Sequence, residues 1–437
     1  MIKKIPNHFV VASSAWASKV ITALLQLYLV RILLIILGND NYALFAVLTG
    51  LMGWFALADL GIGISLQNQI SELKSNNKEY RDVVGSVLLI YFVMMLLAMF
   101  LFYFVSNYFS KIILKEFIFI DESKRNLLFF ITGELFIVMN FSSVIYRIWY
   151  AEFKGYISNL LPMIGYILSS FGIYVLSKLK GKNDDILLLC VIIFLLPNTL
   201  ISFIFMMKKL YFSRVFWYRY FDKRIVFRVF SKGFRFWFFS LMASGVLQID
   251  YLIMARYLSY DEIVLYNIVM KVFIFIFFIY NSLLTALWPE FSVEIHRKNI
   301  SKVKNYVKKY LLIGILYIFI STLIFIMFKR NIMKIIVPNN SVEFSNYLLI
   351  VFGFYYLIRV WTDTYAMVLQ SVSILKPFWI LVPIQALISL VGQIYFVQIY
   401  RLNGILYGLI LSFLLTVTWG LPYYTKKYIF KRGLDVN

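Results

Sequence analysis

Residues that carry metal or thiol chemistry are almost missing from this 437-residue chain. It has one cysteine, Cys190, and two histidines, His8 and His296. A single thiol excludes an internal disulfide, and with the histidines far apart it also excludes a cysteine- or histidine-based metal site. No metal and no cofactor is expected. Charge is scarce as well: only 15% of residues are Asp, Glu, Lys or Arg, against about 25% in a soluble domain. Acids are scarcer still, 21 against 43 bases. So few charges cannot cover a water-soluble protein of this size.

Apolar surface is what the chain has in excess. Hydrophobic residues make up 62% and aromatics 19%. They recur in runs of about 20, the length at which a helix crosses roughly 30 Å of hydrocarbon. This pattern defines an all-α polytopic membrane protein with the lipid bilayer as its first partner. Twelve spans are expected, near 10–37, 41–70, 83–105, 126–149, 156–177, 184–207, 233–257, 263–289, 309–328, 344–370, 377–400 and 402–425. The opening MIKKIPNHFVV runs into an apolar segment with no small-residue cleavage pattern, so it reads as a retained first span.

The net charge of +22 does not point to nucleic acid, because the bases lie in short loops between spans. With the N-terminus in the cytoplasm, bases on that side outnumber those on the other by more than two to one. That bias orients both termini to the cytoplasm and requires an even number of spans. The longest connection divides the chain into a six-helix bundle at 1–207, a basic-aromatic linker at 208–232 and a second six-helix bundle at 233–437. The segment KKLYFSRVFWYRYFDKRIVFRVFSKGFRFW (208–237) mixes bases with rings, as segments lying on an anionic inner leaflet do. The two halves echo each other. Leu25-Gln26 precedes LGNDNYALF, and Leu247-Gln248 precedes LSYDEIVLY at a similar distance. Paired bundles of this kind are typical of carriers that rock around a central site.

Polar residues inside the spans fall into stripes. Lys19, Thr22 and Gln26 recur at i, i+3 and i+7 and share one helix face. The eighth span aligns Asn267, Lys271, Ser282 and Thr285. Ser240, Ser244 and Gln248 mark the seventh span, and Tyr355, Arg359 and Gln370 the tenth. A helix with one such stripe turns it toward a wet interior. Its lysines suit an anionic group, and its hydroxyls and amides suit sugar hydroxyls. Arg31, near the outer end of its helix, reads instead as a snorkelling side chain.

The intramembrane acids are Asp59, Glu134, Asp250 and Asp363, each a candidate for gating or cation coupling. Arg359 and Asp363, four residues apart, are expected to neutralise each other. Asp250 is placed to bind a cation or to face a wet vestibule. Glu134 either carries a proton or pairs with Arg147. Asp59 sits in GWFALADLGIGISLQNQIS (53–71), ahead of Gly61 and Gly63, which loosen the helix and admit a neighbour.

The stretch 37–71, LGNDNYALFAVLTGLMGWFALADLGIGISLQNQIS, resembles the start of Wzx-type polysaccharide flippases of the multidrug/oligosaccharidyl-lipid/polysaccharide exporter superfamily. LQIDYLIMARYLSYDEIVLYNIVMKVF (247–273) and ALWPEFSVEI (286–295) resemble the matching part of the second half. The resemblance implies two bundles around a V-shaped central cavity that opens alternately to each side. It implies export of an undecaprenyl-pyrophosphate-linked oligosaccharide across a bacterial inner membrane, without enzymatic chemistry. Related flippases of peptidoglycan precursors place cations on their first and eighth helices, which marks Lys19 and Lys271 as leading pyrophosphate contacts. The wider candidate substrate set is Lys19, Thr22, Gln26, Gln248, Asn267, Lys271 and Arg359. Proton or sodium coupling, a polysaccharide polymerase and a chain-length regulator are the further partners it suggests. A multidrug extruder of the same superfamily and a membrane-embedded polymerase are the alternatives.

Overall fold

The structure, a computed structural model, describes residues 7–51, 62–75, 79–179, 185–212, 248–337, 345–372 and 374–430, and positions 227, 230, 231, 241, 242 and 246. All regular structure among these residues is helical. Lipid offers no hydrogen bonds, so a spanning segment must satisfy its backbone internally, and the helix does that within one segment. The chain divides into two compact units, Met1–Leu241 and Met242–Asn437.

The first unit is built from α1 (Asn7–Gly50), α2 (Ile62–Ser75), α3 (Arg81–Ile113), α4 (Glu122–Ser142), α5 (Val144–Ala151), α6 (Gly155–Lys178) and α7 (Ile186–Phe212). The second holds α8 (Ile249–Tyr257), α9 (Tyr260–His296), α10 (Ile300–Ile336), α11 (Asn346–Ser371), α12 (Lys376–Tyr400), α13 (Leu402–Leu415) and α14 (Val417–Thr425), with a π turn at Lys426–Phe430. Among the described residues, nine stretches are helical, long and apolar enough to cross a membrane. The tenth expected span is the 26-residue α11, which carries Arg359 and Asp363. The second and seventh expected spans run partly through undescribed residues. The helices are thus compatible with twelve spans.

The two echoed segments both mark a break between helices. Within α1, Gly38 stands at φ 71° and ψ −178°, a left-handed φ that glycine tolerates best. In the second unit α8 ends at Tyr257, and α9 restarts behind Ser259, whose side chain and Glu262 form a capping box. One pattern, LGNDNYALF and LSYDEIVLY, therefore interrupts the helix by two kinds of backbone chemistry.

Several boundaries differ from expectation. α3 runs 33 residues, about 50 Å at 1.5 Å per residue, where the hydropathy ends near 105. α9 and α10 run 37 residues each. Hydropathy marks where lipid ends, while a helix continues until a stop signal ends its hydrogen bonding. The fourth span, expected as one helix, breaks at Ser143. There Ser142 Oγ donates to Val138 O at 2.6 Å and Ser143 Oγ to Asn140 O at 2.7 Å. Back-bonding of this type bends helices.

Each unit has its own core. In the first, Ile62, Leu66 and Ile70 of α2 pack with Val87 and Tyr91 of α3 and Ile148 of α5. In the second, Phe273 stacks on Phe352 and Tyr356, with ring centroids 5.5 and 5.4 Å apart. α12 and α13 approach so closely that a Cβ on Gly408 would lie 2.3 Å from the Gln393 backbone nitrogen, the small-residue contact usual between membrane helices. Outward, Phe100, Leu101 and Phe104 of α3 remain exposed, as a lipid-facing surface requires.

Candidate functional site

In the first unit the α1 stripe stays on one face. Lys19 is exposed, and Thr22 and Gln26 are half-buried. Gln26 hydrogen-bonds the Tyr166 side chain of α6. α6 is tied to the start of α1 as well, through Asn159 Nδ2, which donates to Val11 O at 3.1 Å and to Ser14 Oγ at 3.0 Å. Tyr150 OH donates in turn to Asn159 Oδ1. These bonds fix the stripe's helix against its neighbour. Arg31 is half-buried.

Glu134 is half-buried on α4, and its Oε2 has no hydrogen-bond partner. The expected pairing with Arg147 is not among the ion pairs of the described residues. Arg147 lies 13 positions further on, about 20 Å along the axis and past the Ser143 break. Asp59, Ser240 and Ser244 lie outside the described residues.

In the second unit Asp250 does not face a vestibule. It is 2% exposed; its Oδ1 accepts the Tyr251 N–H at 2.9 Å and its Oδ2 the Tyr266 hydroxyl at 2.5 Å. The turn at 258–260 folds α9 back beside α8 and brings Tyr266 to it. Asn267 is also buried, at 4% exposure, and donates to Tyr251 OH at 2.7 Å. Gln248 stands at the N-cap position of α8, without a capping hydrogen bond from its side chain, and is half-buried. Lys271 follows Asn267 by one turn and is half-buried; Ser282 and Gln370 are half-buried too. Thr285 is exposed, with Oγ1 bonded to Asn281 O at 2.8 Å.

Arg359 and Asp363 form the expected pair, Nη2 to Oδ2 at 2.9 Å. The guanidinium also donates to Tyr355 OH at 3.3 Å. It lies over the rings of Phe277 and Phe413, at 5.2 and 5.8 Å. Arg359 is therefore caged by a carboxylate, a phenol and two aromatic faces, and a ligand would have to compete with all of them.

Two acids that hydropathy does not single out organise one end of each unit. The Glu152 side chain, 7% exposed, pairs with Lys209 and lies 3.9 Å from Lys154. Tyr80 OH reaches it at 3.4 Å, and Lys74 Nζ donates to its backbone oxygen at 3.2 Å. The Glu294 side chain, 8% exposed, meets Lys302 at 2.7 Å and Arg297 at 3.9 Å. The hydrogen bond from Lys302 holds its carboxyl below the usual glutamate range. Their signal in the sequence is an acid beside bases: Glu152 just before Lys154, and Glu294, the second of two glutamates, just before Arg297 and Lys298. At the opposite ends stand Lys111–Glu122 at 2.9 Å and Arg401–Glu262 at 2.7 Å. Tyr266 closes the LSYDEIVLY echo, and Tyr251 carries no signal in the sequence.

Long apolar helices in two units, charges gathered at helix ends and a few polar side chains within the spans define a multi-pass membrane transporter. Residues 236–394 match the family model described as MatE. The chain is 36% identical to a Yersinia pseudotuberculosis protein named for O-antigen export, over 96% of this chain and 96% of that protein. It is 38% identical to a Salmonella typhi protein named for O-antigen transport, over 98% and 97%. Its fold is that of the lipid II flippase MurJ in an inward closed conformation: TM-score 0.75, 16% identity, 96% of this chain and 87% of that one. An inward-facing multidrug resistance MATE family transporter of the MOP superfamily shares it too: TM-score 0.71, 13% identity, 95% and 99%. The chain belongs to the O-antigen transporter family, the Wzx-type flippases of this superfamily.

Proposed function

We propose that this protein flips an undecaprenyl-pyrophosphate-linked oligosaccharide, the repeat unit of O-antigen or a similar surface polysaccharide. It carries the headgroup from the cytoplasmic to the periplasmic leaflet of a bacterial inner membrane by alternating access of its two units. Near-full-length similarity, at 36–38% identity, to proteins named for O-antigen export and transport carries this reading. The charges inside the spans support it. Lys19 and Lys271 supply point charges for a pyrophosphate, while Thr22, Gln26 and Gln248 suit sugar hydroxyls. A pocket for cationic drugs needs free acids instead. Asp250 and Asp363 already have hydrogen-bonding partners, which leaves Glu134, with one unmatched oxygen, as the intramembrane acid open to that role among the described residues.

No bond is made or broken in this cycle, so the protein is a carrier and not an enzyme. Both termini lie in the cytoplasm, which puts Glu152, Glu294 and the basic linker on that side. Glu134, whose buried Oε2 is unmatched, is the group to carry a coupling proton, with Asp59 as a gating residue. Exported units pass to a polysaccharide polymerase and chain-length regulator.

The test is complementation of a chromosomal deletion with wild type, Lys19→Ala or Lys271→Ala at equal expression. Loss of a charge-assisted contact of about 1.5–3 kcal/mol predicts at least a tenfold fall in surface polysaccharide for each variant. Lipid-linked repeat units should accumulate on the inner leaflet. Export of single unpolymerised units in the deletion strain would make the protein a polymerase. Unchanged polysaccharide with raised drug sensitivity would make it an extruder.

A further inference from the structure

The first unit holds an uncharged, mainly apolar cavity of about 250 Å³ with a few polar side chains in its wall, where α4, α5, α6 and α7 meet. Its walls include Asn140, Tyr146, Tyr166, Phe194 and Asn198, and no charged side chain among the described residues. It opens where helices bend: α4 breaks into α5 at Ser143, and α6 and α7 carry Pro162 and Pro197.

Part of its hydrogen-bonding capacity is unspent. Asn198 is 9% exposed, and its carboxamide makes no hydrogen bond to another described residue. The same holds for the Tyr146 hydroxyl. Asn140 spends only Nδ2, on Phe136 O at 2.8 Å, which leaves Oδ1 open. The neighbouring backbone accommodates the carboxamide: a Cβ on Gly165 would stand 2.2 Å from Asn198 Oδ1. Asn198 is buried and Asn140 and Tyr146 are half-buried, and the open hydrogen-bonding capacity of all three lines one cavity, which suits a ligand with donors and acceptors.

The walls also define that ligand. Without a cation the cavity does not suit a phosphate, and without an acid it does not suit a cationic drug. It is smaller than the roughly 300–1,000 Å³ of a drug-sized site, so it takes one ring. Tyr146, Tyr166 and Phe194 supply aromatic rings to the wall, and the amides and phenol supply donors and acceptors. A pyranose matches both, with apolar C–H faces and hydroxyls around its rim. Tyr166 connects this wall to the α1 stripe through Gln26.

We propose that this cavity is a subsite for one sugar ring of the lipid-linked oligosaccharide, with Asn198, Asn140 and Tyr146 bonding its hydroxyls. The assignment rests on the flippase reading above, and the experiment separates the two. Full-length protein in nanodiscs is titrated with bare undecaprenyl pyrophosphate and with the lipid-linked repeat unit extracted from the producing strain. Wild type should bind the glycosylated lipid more tightly. Asn198→Leu and Gly165→Ala should each weaken that binding about tenfold and leave the bare lipid unchanged. Tyr146→Phe, which removes one oxygen and keeps the ring, should weaken it about fivefold, and it decides the matter if the bulkier variants do not fold. Lys271→Ala should weaken both lipids. If the cavity variants change neither lipid, or both alike, the cavity holds only water and the subsite is wrong. If wild type binds neither lipid, the flippase reading itself fails.

Discussion

Arg359 puts a full charge inside a span and survives there because Asp363 lies 2.9 Å away. Removing one member of such a pair leaves the other charge uncompensated in a poor solvent. The side chains keep 20% and 28% exposure, so water offsets part of that cost. Arg359→Ala should destabilise the protein by about 1–3 kcal/mol, read as a fall in melting temperature in detergent. Arg359→Ala with Asp363→Ala should regain a good part of the loss. A double variant as unstable as the single one would show that Arg359 contributes through its ring contacts and not its charge. At this scale the sequence was partly legible. Helical spacing alone pairs Arg359 with Asp363, because both partners share one helix. Asp250 with Tyr266, and Glu134 without Arg147, depend on how different helices pack, and no spacing rule reaches that.

The elements themselves repeat this division. Breaks made by turn chemistry, at Gly38 and at Ser259, are visible in LGNDNYALF and LSYDEIVLY. Breaks inside unbroken apolar runs, at Ser143 and Thr416, are not, since they come from hydroxyl back-bonding and local backbone geometry. Pro422 within α14 shows how such a helix is repaired. It has no N–H to bond Thr418 O, and bare carbonyls are costly in lipid. The Trp361 indole of α11 donates to that oxygen instead, at 2.8 Å. Trp361→Phe keeps an aromatic side chain, though a smaller one, and removes the donor, so it should cost about 1–3 kcal/mol. Replacing Pro422 by Ala in the same background restores an N–H and should return much of the loss. If Trp361→Phe melts like wild type, water or another donor already serves the carbonyl.

Across the whole molecule, each unit is braced at both ends by ion pairs. Glu294 tests one brace. Its carboxyl is held below the usual value of 4.5 by Lys302, so its contribution is present above that value and is lost as pH falls through the lowered one. Melting temperature should be flat near neutrality and drop at acid pH, and Glu294→Gln should remove part of the drop. The transport cycle itself can be set against the membrane potential. A pyrophosphate headgroup leaving a negative-inside cell is favoured by about 2.3 kcal/mol per charge per 100 mV, roughly fiftyfold in equilibrium for one charge. Proteoliposomes with a potassium potential set by valinomycin should therefore flip the lipid-linked oligosaccharide faster toward the positive side. Reversing the potential should slow it. If Glu134 adds a proton to the cycle, an imposed pH gradient should speed wild type further and leave Glu134→Gln unmoved. A rate that ignored the potential would mean that the headgroup crosses with its charge cancelled, and Lys19 and Lys271 would then have to travel with it rather than wait for it.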